Sequence, residues 1–122
     1  MSAMRIKGVC LKYDIVDQYG VLVRRQAIYQ IDKLVPVFRS MNSTFQVGVA
    51  HIRFEEGTGL VYTANLDGEF PPAKLCPVLR AVKLTLPSKV SKVKRIIEEC
   101  DILGVFLSRT HLDNVEDWEV LS

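Results

Sequence analysis

The chain is divided into short runs of β-branched and aromatic residues by turn signals that are only a few residues long. The clearest two runs, 45–54 and 60–66, flank Glu55-Glu56-Gly57-Thr58, which is typical of a hairpin turn. The second run alternates strictly, with Leu60, Tyr62, Ala64 and Leu66 at one parity and Val61, Thr63 and Asn65 at the other. A period of two predicts a strand with one buried and one exposed face.

The first run of this hairpin changes parity along its length. Phe45, Val47 and Val49 form one apolar face, whereas Ile52 and Phe54 belong to the opposite one. Either both faces of this strand are covered, or a bulge near Ala50 and His51 switches the register.

Further strands follow from the same pattern. Runs 5–13 and 21–29 flank Asp17-Gln18-Tyr19-Gly20 and predict a second hairpin, with a bulge at Gly8. Runs 79–86 and 102–107 predict two more strands. Helical turns are expected at 30–35, at 72–76 and after Ser88, where Val90, Val93 and Ile97 recur at helical spacing.

These elements predict a mainly β fold, a single small β-barrel or sandwich of about six or seven strands with one to three short helices. Residues 1–122 are expected to form one domain, since the chain shows neither repeats nor a linker-like stretch. A chain of 13.8 kDa buries roughly 67% of its unfolded surface. Such a core needs neither disulfides nor a structural metal.

Composition excludes several functional classes. A net charge of +2 is too small to indicate nucleic acid or an anionic membrane as partner. No apolar run approaches the ~20 residues of a membrane span, and the first residues carry no apolar core of a secretory signal. Three widely spaced cysteines, Cys10, Cys76 and Cys100, favour buried reduced thiols over disulfides. No zinc-like ligand spacing occurs, so neither a metal nor a cofactor is expected.

Catalytic chemistry has few candidates. His51 falls in the middle of a predicted strand, where a packed histidine is the simpler interpretation. Cys76 as a nucleophile with His51 or His111 as its base remains an alternative.

Two features are candidate partner contacts. The basic run Lys83, Lys89, Lys92, Lys94 and Arg95 predicts a solvated face, with an acidic protein surface or nucleic acid as alternative partners. Trp118 lies among acidic residues in 115–121. Either it packs on its own barrel or it anchors a neighbouring subunit.

Segment 35–48, followed by Gly59-Leu60, resembles the prohead protease of tailed phages and the related herpesvirus maturation protease. The pattern of that family has a proline, a histidine five residues on, a glycine seven further, and a hairpin whose second arm opens with Gly-Leu. Pro36, Gly48 and Gly59-Leu60 keep this spacing. Segments 74–79 and 99–107 are similar to those that carry the nucleophilic serine and the closing strand.

The departures from this pattern fall at the catalytic positions. Met41 stands at the position of the histidine, Val78 at that of the nucleophile and Gly104 at that of the third polar partner. A thioether cannot accept a proton near neutral pH, and valine has no group that could attack a carbonyl. The resemblance therefore implies the protease fold without its activity.

A non-catalytic copy of this family is expected to be a structural protein of a phage head. The resemblance implies the major capsid protein as its partner, self-association on the capsid lattice, and a place in the virion after synthesis in the host bacterial cytoplasm. Two alternatives stay open. One is an active maturation protease with displaced residues, such as Cys76 or Ser91 with His51. The other is an unrelated small β-barrel that binds a peptide or nucleic acid.

Overall fold

The computed structural model describes residues 3–87, 92–109 and 115–121. In chain order these residues form β1 (Met4–Lys12), β2 (Val21–Val23), α1 (Arg25–Ile28), β3 (Asp32–Phe38), β4 (Gln46–Glu55), β5 (Gly59–Leu66), β6 (Lys74–Thr85), β7 (Arg95–Ser108) and β8 (Glu119–Val120). The predicted mainly β fold is confirmed, with one short helix in the described part of the chain. No helix among the described residues has the length and apolar character needed to cross a bilayer.

All eight strands belong to one curled sheet, a half-barrel. Seven strands follow one path around the curl, in the order β2-β7-β3-β4-β5-β1-β8, while β6 pairs with β7 off this path. The long strand β7 organises this arrangement. β6 runs antiparallel along most of its length, whereas β2 and β3 pair in parallel with its first and last parts. Since β6 occupies one edge of β7, β2 and β3 share the other.

The segment 115–121, which we call the closing segment, spans from β1 to the start of β6. The Glu116 N–H donates to the Val9 carbonyl at 3.1 Å, and the Trp118 N–H donates to the Ala73 carbonyl at 3.0 Å. Val9 belongs to β1, whereas Ala73 directly precedes β6. The closing segment therefore links β1 to the residue that precedes β6.

The core lies inside the curl. Fully buried side chains come from the inner faces of strands around the sheet: Ile6, Val37, Ala50, Ile52, Leu60, Ala64, Leu66, Leu75, Ile102 and Val105. The buried face predicted for β5 is confirmed, because Leu60, Tyr62, Ala64 and Leu66 belong to this core. The opposite face is exposed only in part, since Val61 is also buried.

The β4–β5 hairpin is also confirmed. Its register is unbroken from Glu55↔Gly59 to Gly48↔Leu66. Gly57 takes the left-handed conformation that the turn requires, with φ of 85°. The parity change in β4 lies earlier than predicted, since the β3–β4 register shifts opposite Val37 and Phe38, where the partners are Gly48 and Gln46. The extra residue is thus Val47, not Ala50 or His51.

The hairpin predicted from runs 5–13 and 21–29 is wrong in its pairing. β1 pairs with β5, while β2 pairs in parallel with β7. The turn itself forms, because the Gly20 N–H donates to the Asp17 carbonyl at 3.0 Å. Asp14, which follows β1, lies opposite β2 in this turn, since the Asp14 N–H donates to the Val23 carbonyl at 2.8 Å.

The bulge in β1 lies between Val9 and Leu11, two residues beyond Gly8. Gly8 serves another purpose. A Cβ at this position would lie 2.6 Å from the hydroxyl oxygen of Tyr62, so the missing side chain makes room for the buried ring.

The helices predicted at 30–35 and 72–76 are wrong, since these segments run into β3 and β6. In β3, Val35 and Val37 are buried while Leu34 is exposed, which is the period of a strand. The helix that forms, α1, lies inside the run predicted as a strand from 21 to 29. Ser88 and Val90 lie outside the described residues, and Ile97 belongs to β7.

Candidate functional site

The three positions that resemble a protease triad are only partly brought together. Val78 in β6 and Gly104 in β7 are direct partners across the antiparallel ladder. A Cβ on Gly104 would lie 2.8 Å from Cε2 of Phe38 and 3.1 Å from the Pro36 carbonyl oxygen. The missing side chain at Gly104 therefore allows β3 to pack closely on β7.

Met41 lies in the loop between β3 and β4, with 69% of its surface exposed. Its thioether offers neither a proton nor a basic lone pair at neutral pH. None of Met41, Val78 and Gly104 can act as nucleophile or base.

Cys76 is poorly suited to replace the missing nucleophile. It is 2% exposed and lies in β6 opposite Phe106. Burial raises the pKa of its thiol to about 11, and the opposing effects of the Ser108 hydrogen bond and the Lys74 charge are smaller. Since the thiolate is the reactive form, this thiol is unreactive at neutral pH.

His51 is oriented by a carboxylate, and within 3–87, 92–109 and 115–121 no nucleophile is hydrogen-bonded to its ring. Its Nε2 lies 2.6 Å from Oδ1 of Asp32, and both side chains are largely exposed. Its partners in the ladder are Leu34 and Thr63, and no hydrogen bond among the described residues joins the Thr63 hydroxyl to the ring.

The proposed pairing of His51 with Cys76 does not form. β4 and β6 are separated in the sheet by β3 and β7. Ser91, the other nucleophile considered for His51, and His111, the other base considered for Cys76, lie outside the described residues.

Trp118 packs on its own barrel. It belongs to the closing segment, is 7% exposed and is a member of the core cluster. Of the two alternatives left open by the sequence, this burial favours packing on its own barrel, because an anchor must be accessible in the separate subunit.

The predicted basic run does not form one face: Lys83 lines a cleft beside α1, whereas Lys92 and Lys94 lie beside an aromatic ring. The Lys94 and Arg95 N–H groups donate to the Gly20 carbonyl at 2.7 and 3.1 Å. Lys92 and Lys94 line a cleft of about 440 Å³ together with the exposed Tyr19. The sequence shows no aromatic residue among these lysines, because Tyr19 comes from a distant segment. Lys89 lies outside the described residues.

A charged cleft of about 580 Å³ lies between α1 and the β6–β7 pair. Two polar contacts lie within the cleft: Lys33 Nζ lies 3.0 Å from Oδ1 of Asp101, and the Gln26 amide donates to Glu98 at 2.6 Å. The hydrogen bond from Lys33 lowers the pKa of the Asp101 carboxyl below its ordinary value. Four carboxylates, from Asp32, Glu98, Glu99 and Asp101, stand against Lys33 and Lys83, which leaves this cleft a net charge of −2.

A second cleft, of about 400 Å³, has a net charge of the opposite sign. We call it the Arg39–Arg109 cleft. Its lining comes from the β3–β4 loop, the β5–β6 connection and the end of β7: Arg39, Phe45, Val47, Asp67, Phe70, Pro71, Ala73, Leu107 and Arg109. None of the ion pairs between described residues involves Arg39 or Arg109. No sequence motif marks this cleft, because separate segments build it.

Metal chemistry finds no support in the described ranges 3–87, 92–109 and 115–121. They contain no group of three or more His, Cys, Asp or Glu side chains placed to hold an ion.

Comparisons of the chain with protein-family models, with curated proteins and with solved structures find no match. The resemblance to the maturation proteases therefore stays a prediction.

Proposed function

We propose that this protein is a non-enzymatic structural protein of a tailed-bacteriophage head, which binds the major capsid protein to decorate or stabilise the shell. The observation that carries the proposal is the substitution of the triad positions on a mainly β fold. The spacing of a maturation protease is kept, while Met41 and Val78 stand where its base and nucleophile are expected. Losing both groups removes the mechanism.

The alternative nucleophile and base do not supply a replacement. Cys76 is buried and its pKa is raised, and His51 is hydrogen-bonded to Asp32 on a strand that does not neighbour β6. This supports the non-enzymatic proposal over an active protease with displaced residues.

An exposed apolar surface supports a role in assembly. Leu34 in β3, Val49 in β4 and Leu103 in β7 are exposed on three neighbouring strands. Exposed apolar patches on small proteins often mark interaction sites. We propose that this surface contributes to contacts with the capsid protein and to self-association on the lattice.

The proposal is tested by co-sedimentation with shells assembled from the major capsid protein of the source phage. We expect the protein to sediment with shells and not to bind free capsid monomers, because decoration of a shell requires a surface formed by several subunits. A Leu34→Ser/Val49→Ser double variant should bind less, while Arg53→Gln, an exposed change on β4, should bind like the natural protein. Absence of shell binding would overturn the proposal, as would cleavage of the capsid protein that is abolished by Cys76→Ala.

A second candidate function, binding of single-stranded nucleic acid, is favoured by Tyr19 beside Lys92 and Lys94. Aromatic side chains among basic residues are the usual platform for such strands. This function would give oligothymidylate binding that weakens steeply with salt and is lost in Tyr19→Ser.

A further inference from the structure

We infer that the Arg39–Arg109 cleft binds a peptide segment of a partner protein in which a large apolar side chain lies next to a carboxylate. The apolar side chain would occupy the floor of the cleft, and the carboxylate would bind the two guanidinium groups.

The floor of the cleft is apolar and firmly held. Val47 and Ala73 are buried in the core cluster, and Phe70 and Leu107 pack against it. A cleft of about 400 Å³ lies within the range of small ligand sites, about 300–1,000 Å³. It has room for one aromatic or branched aliphatic side chain and the adjacent backbone.

The charge of the cleft favours an anion. Arg39 and Arg109 follow the ends of β3 and β7, which are parallel neighbours through Val37↔Val105 and Phe38↔Phe106. Parallel strands end at the same edge of a sheet, so both guanidinium groups lie at one rim of the cleft. Asp67 is the single carboxylate among the lining residues, which leaves a net charge of +1. The planar guanidinium group is well suited to binding a carboxylate through two hydrogen bonds.

The backbone around the cleft is already ordered. The Arg39 N–H donates to the Phe45 carbonyl at 3.0 Å and closes the β3–β4 loop. The Phe45 N–H in turn donates to Oγ of Ser43 at 2.9 Å, and the Asp67 N–H donates to the Val47 carbonyl at 2.7 Å. A site that is ordered before binding loses less conformational freedom when it binds. The exposed ring of Phe45 stands among the lining residues as an additional apolar contact.

A peptide fits these observations better than a nucleic acid strand. A continuous phosphate backbone would bring several charges past Asp67, and the buried floor at Val47 and Ala73 offers it no contact. One carboxylate beside one apolar side chain matches both the limited charge and the apolar floor.

This inference rests on the proposed function only for the source of the segment, which would be an exposed acidic-apolar stretch of the major capsid protein. The binding chemistry of the cleft stands on the geometry described above.

The test is a titration of the ¹⁵N-labelled full chain with the peptide N-acetyl-Gly-Asp-Phe-Gly-amide, followed by NMR. We expect shift changes centred on Arg39, Phe45 and Leu107 and a dissociation constant of about 10⁻³ M, as for a small ligand with one apolar anchor. Replacing Asp by Asn in the peptide should weaken binding about fivefold, because the charge-assisted hydrogen bonds are lost. Replacing Phe by Ala should weaken binding about tenfold, because the apolar contact with the floor is lost.

Matched variants test whether Arg39 and Arg109 bind the carboxylate of the peptide. Arg39→Gln/Arg109→Gln should weaken binding of the Asp peptide about tenfold and remove the preference for Asp over Asn, while Arg53→Gln should bind unchanged. Amide spectra that match the natural protein outside the cleft show that each variant is folded. Shift changes centred elsewhere, equal binding of the Asp and Asn peptides, or larger changes at the cleft with octathymidylate would each overturn the inference.

Shell binding separates this inference from the proposed function. If the natural protein sediments with shells and the double arginine variant does so equally well, the cleft does not dock the capsid protein, and the assignment of the segment to that protein fails while the proposed function stands. If the peptide binds in the cleft but the protein ignores shells, the proposed function fails and the cleft remains a peptide site.

Discussion

Replacing Trp118 by alanine should destabilise the whole sheet, because this side chain holds the closing segment against the core. It is 7% exposed and belongs to the same cluster as residues of β1, β5 and β6. If Trp118 anchored a neighbouring subunit instead, its removal would change assembly and leave the stability of the single subunit almost unaltered. The two interpretations therefore predict different measurements.

The expected magnitude follows from the buried area. A buried tryptophan removes about 150–250 Å² from water, which corresponds to about 4–6 kcal/mol at 25 cal/mol per Å². Trp→Ala changes in protein cores typically cost about 3–5 kcal/mol. The indole Nε1 is buried without a hydrogen-bond partner in the described structure, and this reduces the net contribution of the side chain by about 1–3 kcal/mol. We expect Trp118→Ala to lower the free energy of unfolding by about 3 kcal/mol.

Urea unfolding followed by far-ultraviolet circular dichroism measures this change. With a slope of about 2 kcal/mol/M, the midpoint should fall by about 1.5 M. Trp118→Phe keeps most of the apolar contact and removes the unpaired N–H, so its stability should stay within about 1 kcal/mol of the natural protein. Val120→Ala, an exposed change in the same segment, is the control. An unchanged midpoint for Trp118→Ala, at equal oligomeric state, would refute the role given to the closing segment.

Three further predictions concern the thiols, Gly104 and an exposed ion pair. Burial raises the pKa of Cys10 from 9.0 to about 12, and it raises the pKa of Cys76 and Cys100 to about 11. Iodoacetamide at about pH 8 should therefore label the folded protein about 100-fold more slowly than the unfolded chain. Rapid labelling of Cys76 in the folded state would contradict this. Because the unfolded thiols ionise first, the stability they contribute is complete below pH 9 and is lost as the pH rises toward 12, and Cys10→Ala should reduce that loss in urea titrations. Gly104→Ala should lower the free energy of unfolding by about 1–3 kcal/mol, because the added methyl group meets Phe38 and Pro36. Leu103→Ala, at an exposed neighbour, should lower it by less than about 0.5 kcal/mol. Equal urea midpoints for the two variants would contradict the packing argument. The Lys33 hydrogen bond lowers the pKa of Asp101, so this pairing stabilises the fold above the ordinary carboxyl pKa, and the contribution is lost as the pH falls through the lowered pKa of the folded state. With side chains 40% and 39% exposed, the loss should be about a few tenths of a kcal/mol and absent in Lys33→Ala.

Local sequence pattern predicts those elements whose partners are adjacent in the chain. The β4–β5 hairpin follows from two runs and the turn between them, because the turn itself fixes their register. The pairing of β2 with β7 does not follow, since nothing near Val21 specifies a parallel partner that begins at Arg95. The residues of α1 carry an ordinary strand-like pattern, and their helical turn is stabilised by packing against β7 and the buried side chain of Ile28.

The candidate site also has parts that the sequence predicts and parts that it does not. The resemblance brought Val78 and Gly104 into one hypothesis, and they are direct partners in the sheet. The burial of Trp118 was one of two open alternatives, because the sequence does not show what the closing segment packs against. The Arg39–Arg109 cleft could not be predicted, since its arginines become neighbours only through the parallel pairing of β3 with β7.

The position of β7 late in the chain has a consequence for synthesis on the ribosome. The residues of β2 and β3 are synthesised early, whereas the strand that pairs with both of them begins at Arg95. At about 5–20 residues per second, both strands wait several seconds with unpaired edges while the remainder of the chain is made. A chain that terminates before residue 95 should therefore aggregate rather than fold, because both strands keep an unpaired edge.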